Sequence, residues 1–233
     1  MQIQELSINP VNINSELNPA LWSDMRLLPE VRLQLLRIAR HFADFLKVDR
    51  LHLVDITVSG SNAGYNYNQF SDIDLHLVVK NISGREELFT AKKNQYNFTY
   101  NINLNGVPVE LYVQDVNQVH HSSGIYSVLD NKWLSLPKRT KPEATPEQIK
   151  SKARNYAGMI NQAMRSQRLE KCEAAMEELR RLRKAGLEAN GEQSVENLAF
   201  KLLRARGQID KLRKYINKLT SAELSLGEQN EDQ

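Results

Sequence analysis

Gly60-Ser61, followed ten residues later by Asp72-Ile73-Asp74, constrains this chain more than any other stretch. Side chains alternate along a strand, so two carboxylates one residue apart point to the same face. Like charges held side by side repel, and a fold that keeps such a pair ordinarily sets a cation between them. The Gly-Ser turn upstream offers unobstructed backbone N–H groups and a hydroxyl, which suit phosphate oxygens. The run therefore predicts a metal-dependent site for a nucleoside triphosphate.

The rest of the chain gives that run a setting. Residues 1–27 show no period and carry Pro10 and Pro19, which reads as an extended lead-in lying on the surface. Pro29–Leu46 is amphipathic, with Val31, Leu35, Leu36, Ala39, Phe42, Ala43 and Leu46 at helical spacing and Pro29 suited to the first turn. Strands are predicted over Leu51–Val58 and Asp72–Val79, and a helix over Gly84–Lys93. Phe98–Leu104 and Val107–Val113 flank Asn105-Gly106, a dipeptide favoured in two-residue hairpins. Ile125–Leu134 has room for one more short strand. Helices follow over Pro146–Arg165, Leu169–Ala189 and Val195–Leu219, with Thr145 and Ser194 as caps. The expected architecture is α+β: a mixed sheet with flanking helices over 1–137, a basic region of three helices over 138–220, and a disordered acidic tail over 221–233.

Glu110 lies inside Val107-Pro-Val-Glu-Leu-Tyr-Val113, an apolar strand otherwise hostile to charge. An unpaired buried carboxylate is costly. A metal shared with Asp72 and Asp74 explains it, and a solvated strand face is the alternative. Two-metal chemistry needs about three carboxylates around its ions.

Glycine-serine, a gap, Asp-hydrophobic-Asp, then a third acid on a later strand resembles the DNA polymerase β-type nucleotidyltransferase superfamily. This superfamily includes kanamycin nucleotidyltransferase, the tRNA CCA-adding enzymes, poly(A) polymerases and minimal toxin–antitoxin nucleotidyltransferases. Leu17-Asn-Pro-Ala-Leu-Trp22, Val31-Arg-Leu-Gln-Leu-Leu36 and Ser194-Val-Glu-Asn-Leu-Ala-Phe-Lys201 extend the resemblance to nucleotidyltransferase-like proteins of tailed bacteriophages. The resemblance implies that Gly60 and Ser61 hold the triphosphate. It implies that Asp72, Asp74 and Glu110 bind Mg²⁺ or Mn²⁺, and that Glu110 helps take the acceptor's proton. It also implies transfer of a nucleoside monophosphate from an NTP, ATP first among them, to a hydroxyl or phosphate acceptor with release of pyrophosphate. Many small members carry an arginine after Gly-Ser, where this chain reads Asn62-Ala63-Gly64. The alternative is a catalytically silent nucleotide- or RNA-binding regulator that keeps the fold.

Charge is unevenly spread. Between 138 and 220 there are 20 Lys/Arg against 10 Asp/Glu, while 1–137 carries 11 against 14. The basic stretch suits a polyanion such as RNA or tRNA, or is simply a solvated helical face. Its apolar stripe is compatible with pairing to a second subunit, internal packing being the simpler account. One cysteine, Cys172, excludes an internal disulfide. No apolar run approaches the roughly 20 residues of a membrane span. Met1 to Asn18 shows no signal-peptide pattern, so a cytoplasmic setting is expected, that of the bacterial host if the gene is a phage's. His76 is expected on the Asp74 face as a hydrogen-bonded structural residue, Tyr65 and Tyr67 as loop anchors, and Trp22 and Trp133 as packing residues. His120-His121 lacks partners at ligand spacing, and Lys92 and Lys93 are candidates to lie near the site.

Overall fold

The computed structural model describes residues 13–48, 51–69, 71–80, 82–118, 122–139 and 144–225. His120-His121 and the end of the acidic tail lie outside them. The chain divides into two compact units, one within 12–140 and one formed mainly by 141–233.

The first unit begins with a small hairpin, β1 (Trp22–Ser23) and β2 (Arg26–Leu27), turned through Asp24 and Met25 at positive φ. Helix α1 (Pro29–Leu46) follows and buries Val31, Leu35, Ile38, Ala39, Phe42 and Leu46. The described part of the lead-in, from residue 13 on, is not a surface segment. Leu17, Leu21, Trp22 and Leu27 all belong to the core. They show no period because turns, rather than one repeating face, carry each side chain inward.

Strands β3 (His52–Ser59) and β4 (Ile73–Lys80), helix α2 (Glu86–Thr99), and strands β5 (Asn103–Leu104), β6 (Val107–Asp115), β7 (Ile125–Ser127) and β8 (Lys132–Ser135) complete the unit. They form one six-stranded mixed sheet in the order β5-β6-β4-β3-β7-β8. Only the β4–β6 pairing is parallel. Ile73, Leu75, Leu77, Val79, Val109 and Leu111 are buried and join α1 and α2 in one apolar core, where Phe42 meets Tyr96 at 4.7 Å between ring centroids.

Two local expectations change. The helix starts at Glu86 and runs on through Thr99, so Phe98, 93% exposed, is helical rather than extended. The hairpin turn is where Asn105-Gly106 places it, with φ of 49° and 82° and Leu104 opposite Val107. Its first strand is only two residues long, because Asn97 takes the place of a longer one. The Asn97 amide donates to the Leu111 carbonyl, and the Leu111 N–H donates to Asn97 Oδ1, both at 3.0 Å. A helical side chain thus satisfies the backbone edge that a neighbouring strand would otherwise cover. The region after residue 122 holds two strands rather than one.

The second unit contains α3 (Pro146–Arg165), α4 (Leu169–Asn190), α5 (Val195–Ala205) and α6 (Gln208–Leu224). Thr145 and Gln148 cap α3 reciprocally, and Ser194 accepts from the Asn197 N–H at the start of α5. Cys172 is fully buried among Ile160, Leu179, Ala199, Leu203 and Leu212. The single helix expected over 195–219 is broken at Arg206-Gly207, where Gly207 takes φ +68°. The apolar period continues across the break, which hides the turn from the sequence. The turn brings Leu202 and Leu203 of α5 and Ile209 and Leu212 of α6 into the same core.

Among the described residues no helix is long and apolar enough to cross a membrane. A β-carbon on Gly207 meets nothing within 4 Å. Gly207→Ala is therefore expected to cost only the left-handed backbone penalty, about 1–2 kcal/mol, read as a lower urea midpoint with an unchanged slope.

Candidate metal and phosphate site

Strand register decides what meets on the sheet face opposite the apolar core. Asp74 lies between Ser59 of β3 and Glu110 of β6, and His76 lies between Thr57 and Tyr112. Residues paired across a sheet share a face. One row therefore carries Ser59, Asp74 and Glu110, and the next carries Thr57, His76 and Tyr112. Asp72 stands just before β4, not within it.

Asp72, Asp74 and Glu110 are half-buried, and one carboxylate oxygen from each lies within 4.8 Å of the others. Three hard oxygen donors at this spread suit a hard divalent ion, whose opposite ligands stand about 4 Å apart at Mg²⁺ bond lengths. The donor set fits such an ion by number and type.

The Gly60-Ser61 turn closes over the same cluster. Gly60 takes φ +73°, and a β-carbon there would stand 1.7 Å from Asp74 Oδ2. Glycine is required here twice over, for its backbone angle and for the carboxylate pressed against it. The turn is not the open set of donors expected from the sequence. The Gly60 N–H donates to Ser122 Oγ at 3.0 Å, and Ser61 Oγ donates to Ser71 Oγ at 2.9 Å. The N–H groups of Ala63 and Gly64 close onto the Gly60 and Ser61 carbonyls as a single 3₁₀ turn.

Asn62, in the Asn62-Ala63-Gly64 stretch where the sequence resemblance leads to an expected arginine, is fully buried. Its amide donates to the Asp72 carbonyl at 2.8 Å, its Oδ1 accepts from Asn18 at 2.9 Å, and its carbonyl accepts from the Trp22 indole at 2.7 Å. The residue ties the Gly-Ser turn to the backbone of the first aspartate. Nothing in the local pattern singles it out, because its partners lie 10 to 44 positions away.

His76 Nε2 and Ser59 Oγ are 3.1 Å apart, and the imidazole stacks on Tyr112 at 4.8 Å with 15° between planes. The Tyr112 hydroxyl lies in hydrogen-bonding reach of Glu110. Burial first, then the Asp74 and Glu110 charges, push its phenol far above the usual range. Lys93 Nζ lies over the same ring, 4.7 Å from its centroid. Tyr112 also lines a cavity of about 720 Å³ with Phe89, Thr90, Lys93 and Gln118. Its ring thus borders both the carboxylate row and an open recess. Tyr65 is a loop anchor, with Arg139 over its ring at 4.4 Å, and Tyr67 accepts from Asn14 through its carbonyl. Trp22 and Trp133 stack at 4.9 Å as packing residues.

No protein-family model matches the chain, and no curated protein matches it. Among solved structures it is similar to the STING-associated CdnE c-di-GMP synthase from Capnocytophaga granulosa. The identity is 13% over 84% of this chain and 83% of that one, with a TM-score of 0.25. It is also similar to the Elizabethkingia meningoseptica CdnE cyclic dinucleotide synthase with GTP and Apcpp. Here the identity is 16% over 80% and 74% of the two chains, with a TM-score of 0.25. Similarity at this level says nothing of what this chain binds.

Two substitutions test the turn. Gly60→Ala combines the positive-φ penalty with overlap against Asp74 and is expected to cost about 2–5 kcal/mol. Asn62→Ala leaves buried partners of the amide unmet, a cost of about 1–3 kcal/mol. Both are read from urea unfolding followed by tryptophan fluorescence, since Trp22 donates to Asn62 itself.

Proposed function

We propose that this chain is a metal-dependent nucleotidyltransferase that moves a nucleoside monophosphate from an NTP to a hydroxyl or phosphate acceptor. The observation that carries the reading is the convergence of Asp72, Asp74 and Glu110 within 4.8 Å, beside a glycine whose backbone touches Asp74. Structural surface acids seldom need both a matched strand register and a side-chain-free neighbour.

In this reading Asp72, Asp74 and Glu110 hold Mg²⁺ or Mn²⁺. When bound, the ions neutralise phosphate charge and polarise the α-phosphorus. The acceptor oxygen forms a bond to that phosphorus, the bond to the bridging β-phosphate oxygen breaks, and pyrophosphate departs. Glu110 takes the acceptor's proton, the role its place in the row allows. Ser61 supplies a hydroxyl to the triphosphate by giving up its bond to Ser71, and the Gly60 N–H does so by giving up Ser122. Phosphoryl transfer is mostly positioning and charge stabilisation, so side chains that orient the three carboxylates matter as much as any proton carrier.

Part of the basic charge of the helical unit is paired locally. Arg168, Arg181, Lys184 and Arg213 each pair with an acid within four residues, and Lys152 pairs with Glu196 at 3.1 Å. Such pairs are the ordinary furniture of solvated helices. They match the solvated helical face that the sequence also allowed.

Incubation with each α-labelled NTP, Mg²⁺ and a bacterial extract supplemented with tRNA tests the proposal by asking which molecule acquires label. Transfer that requires metal is expected. Asp74→Asn should lower it by on the order of 10²–10³-fold or more, the scale for losing a charge-organising group. Equal transfer by wild type and Asp74→Asn would sink the assignment, and nucleotide binding without transfer to any acceptor would favour a silent regulator.

A further inference from the structure

We propose that Tyr112 is a positioning residue for Glu110, clamped by His76 and Lys93 so that its hydroxyl fixes which carboxylate oxygen faces Asp72 and Asp74. This rests on the metal reading of the three carboxylates.

The register supplies the first part of the argument. Tyr112 follows Glu110 by two residues on β6, so both side chains leave the same sheet face, and His76 sits directly opposite Tyr112 as Asp74 sits opposite Glu110. The phenol thus stands beside Glu110 on one strand, with its hydroxyl in hydrogen-bonding reach of the carboxylate, while its ring is met across the strand pair by the imidazole.

The ring's surroundings supply the second part. His76 lies nearly parallel to it at 4.8 Å, and is itself joined through Nε2 to Ser59 Oγ, a hydroxyl on a residue only 1% exposed. Lys93 brings a cation to 4.7 Å from the ring centroid. A cation over an aromatic face is attracted to the ring and resists its rotation. With the ring held by strand geometry, stacking and charge, the hydroxyl in reach of Glu110 has little freedom.

The third part is the backbone. The N–H and C=O of Leu111, between the two residues, are both held by Asn97. Asn97 and Lys93 occupy successive turns of α2, so one helix secures the strand beneath Glu110 and also reaches the ring beside it. A ligand carboxylate with one oxygen engaged presents the other in a set direction, and removing such an outer partner commonly costs about 10–100-fold in metal affinity.

Mn²⁺ binding to the full chain without nucleotide, followed by electron paramagnetic resonance of free Mn²⁺, tests this apart from turnover. Thermal unfolding serves as the control. Asp74→Asn is expected to abolish binding. Tyr112→Phe keeps the ring and removes the hydroxyl, and is expected to weaken binding about tenfold or more with little change in Tm. Lys93→Met is expected to weaken it less, in the same direction. Mn²⁺ affinity that is unchanged in Tyr112→Phe but lost in Asp74→Asn overturns the positioning role and leaves the metal site standing. Affinity that is unchanged in both, or wild-type protein that binds no Mn²⁺, overturns the metal reading and this proposal with it. A fall in Tm with unchanged affinity assigns Tyr112 to packing alone.

Discussion

The parallel pairing of β4 with β6 is the constraint on which the candidate site depends. Every other pairing in the six-stranded sheet is antiparallel, and this one sets Asp74 opposite Glu110. A slip of one residue would turn Glu110 into the apolar core and bring Val109 or Leu111 to the face now shared with Asp74. The register is held because the opposite face is apolar: Ile73, Leu75 and Leu77 pair with Val109, Leu111 and Val113, and most of these side chains are fully buried. The same hydrophobic alternation that drives the sheet together therefore also gathers the acids.

Gathering them carries a cost. Two ionised carboxylates whose oxygens lie within 4.8 Å of each other repel by about 3 kcal/mol or more at an effective dielectric of about 20. Several polar groups, Asn62 fully buried and Asn97 and Ser122 partly so, are arranged around the cluster. Asn62 joins the Gly-Ser turn to the Asp72 carbonyl, Asn97 fixes the Leu111 backbone, and Ser122 holds the Gly60 N–H. None of these is itself charged. They hold the backbone from which the charges project, which is what a site needs if its geometry must exist before a ligand arrives.

Much of this was legible along the chain. Gly60, Ser61, Asp72, Asp74 and Glu110 stand out because each breaks the local pattern: a glycine after a strand, two acids in an alternating run, and one acid in an apolar strand. The helix caps at Thr145 and Ser194 and the Asn105-Gly106 turn were equally readable, since their chemistry lies within three or four residues. The lead-in, the two-residue β5 and the break at Gly207 were not. Leu17 and Trp22 have no periodic neighbours, Asn97 replaces a strand from within a helix, and the apolar spacing continues through Gly207 as though the helix did too.

Asn62 and Tyr112 show where sequence reasoning stops. In the sequence Asn62 is one residue of a stretch that lacks an expected arginine, and only the fold shows it fully buried, with Asn18, Trp22 and Asp72 as its partners. Tyr112 reads as one more apolar strand residue until the register sets it against His76 and within reach of Glu110. The sequence by itself determined the α+β class, the identity of the three acids and the glycine beside them, because alternation, turn chemistry and out-of-place charge are local properties. Only the tertiary structure decided that the acids meet, that the Gly60 N–H is already engaged, and which side chains steady them. Those facts depend on strand pairing and on contacts between residues far apart in the chain, which no local pattern encodes.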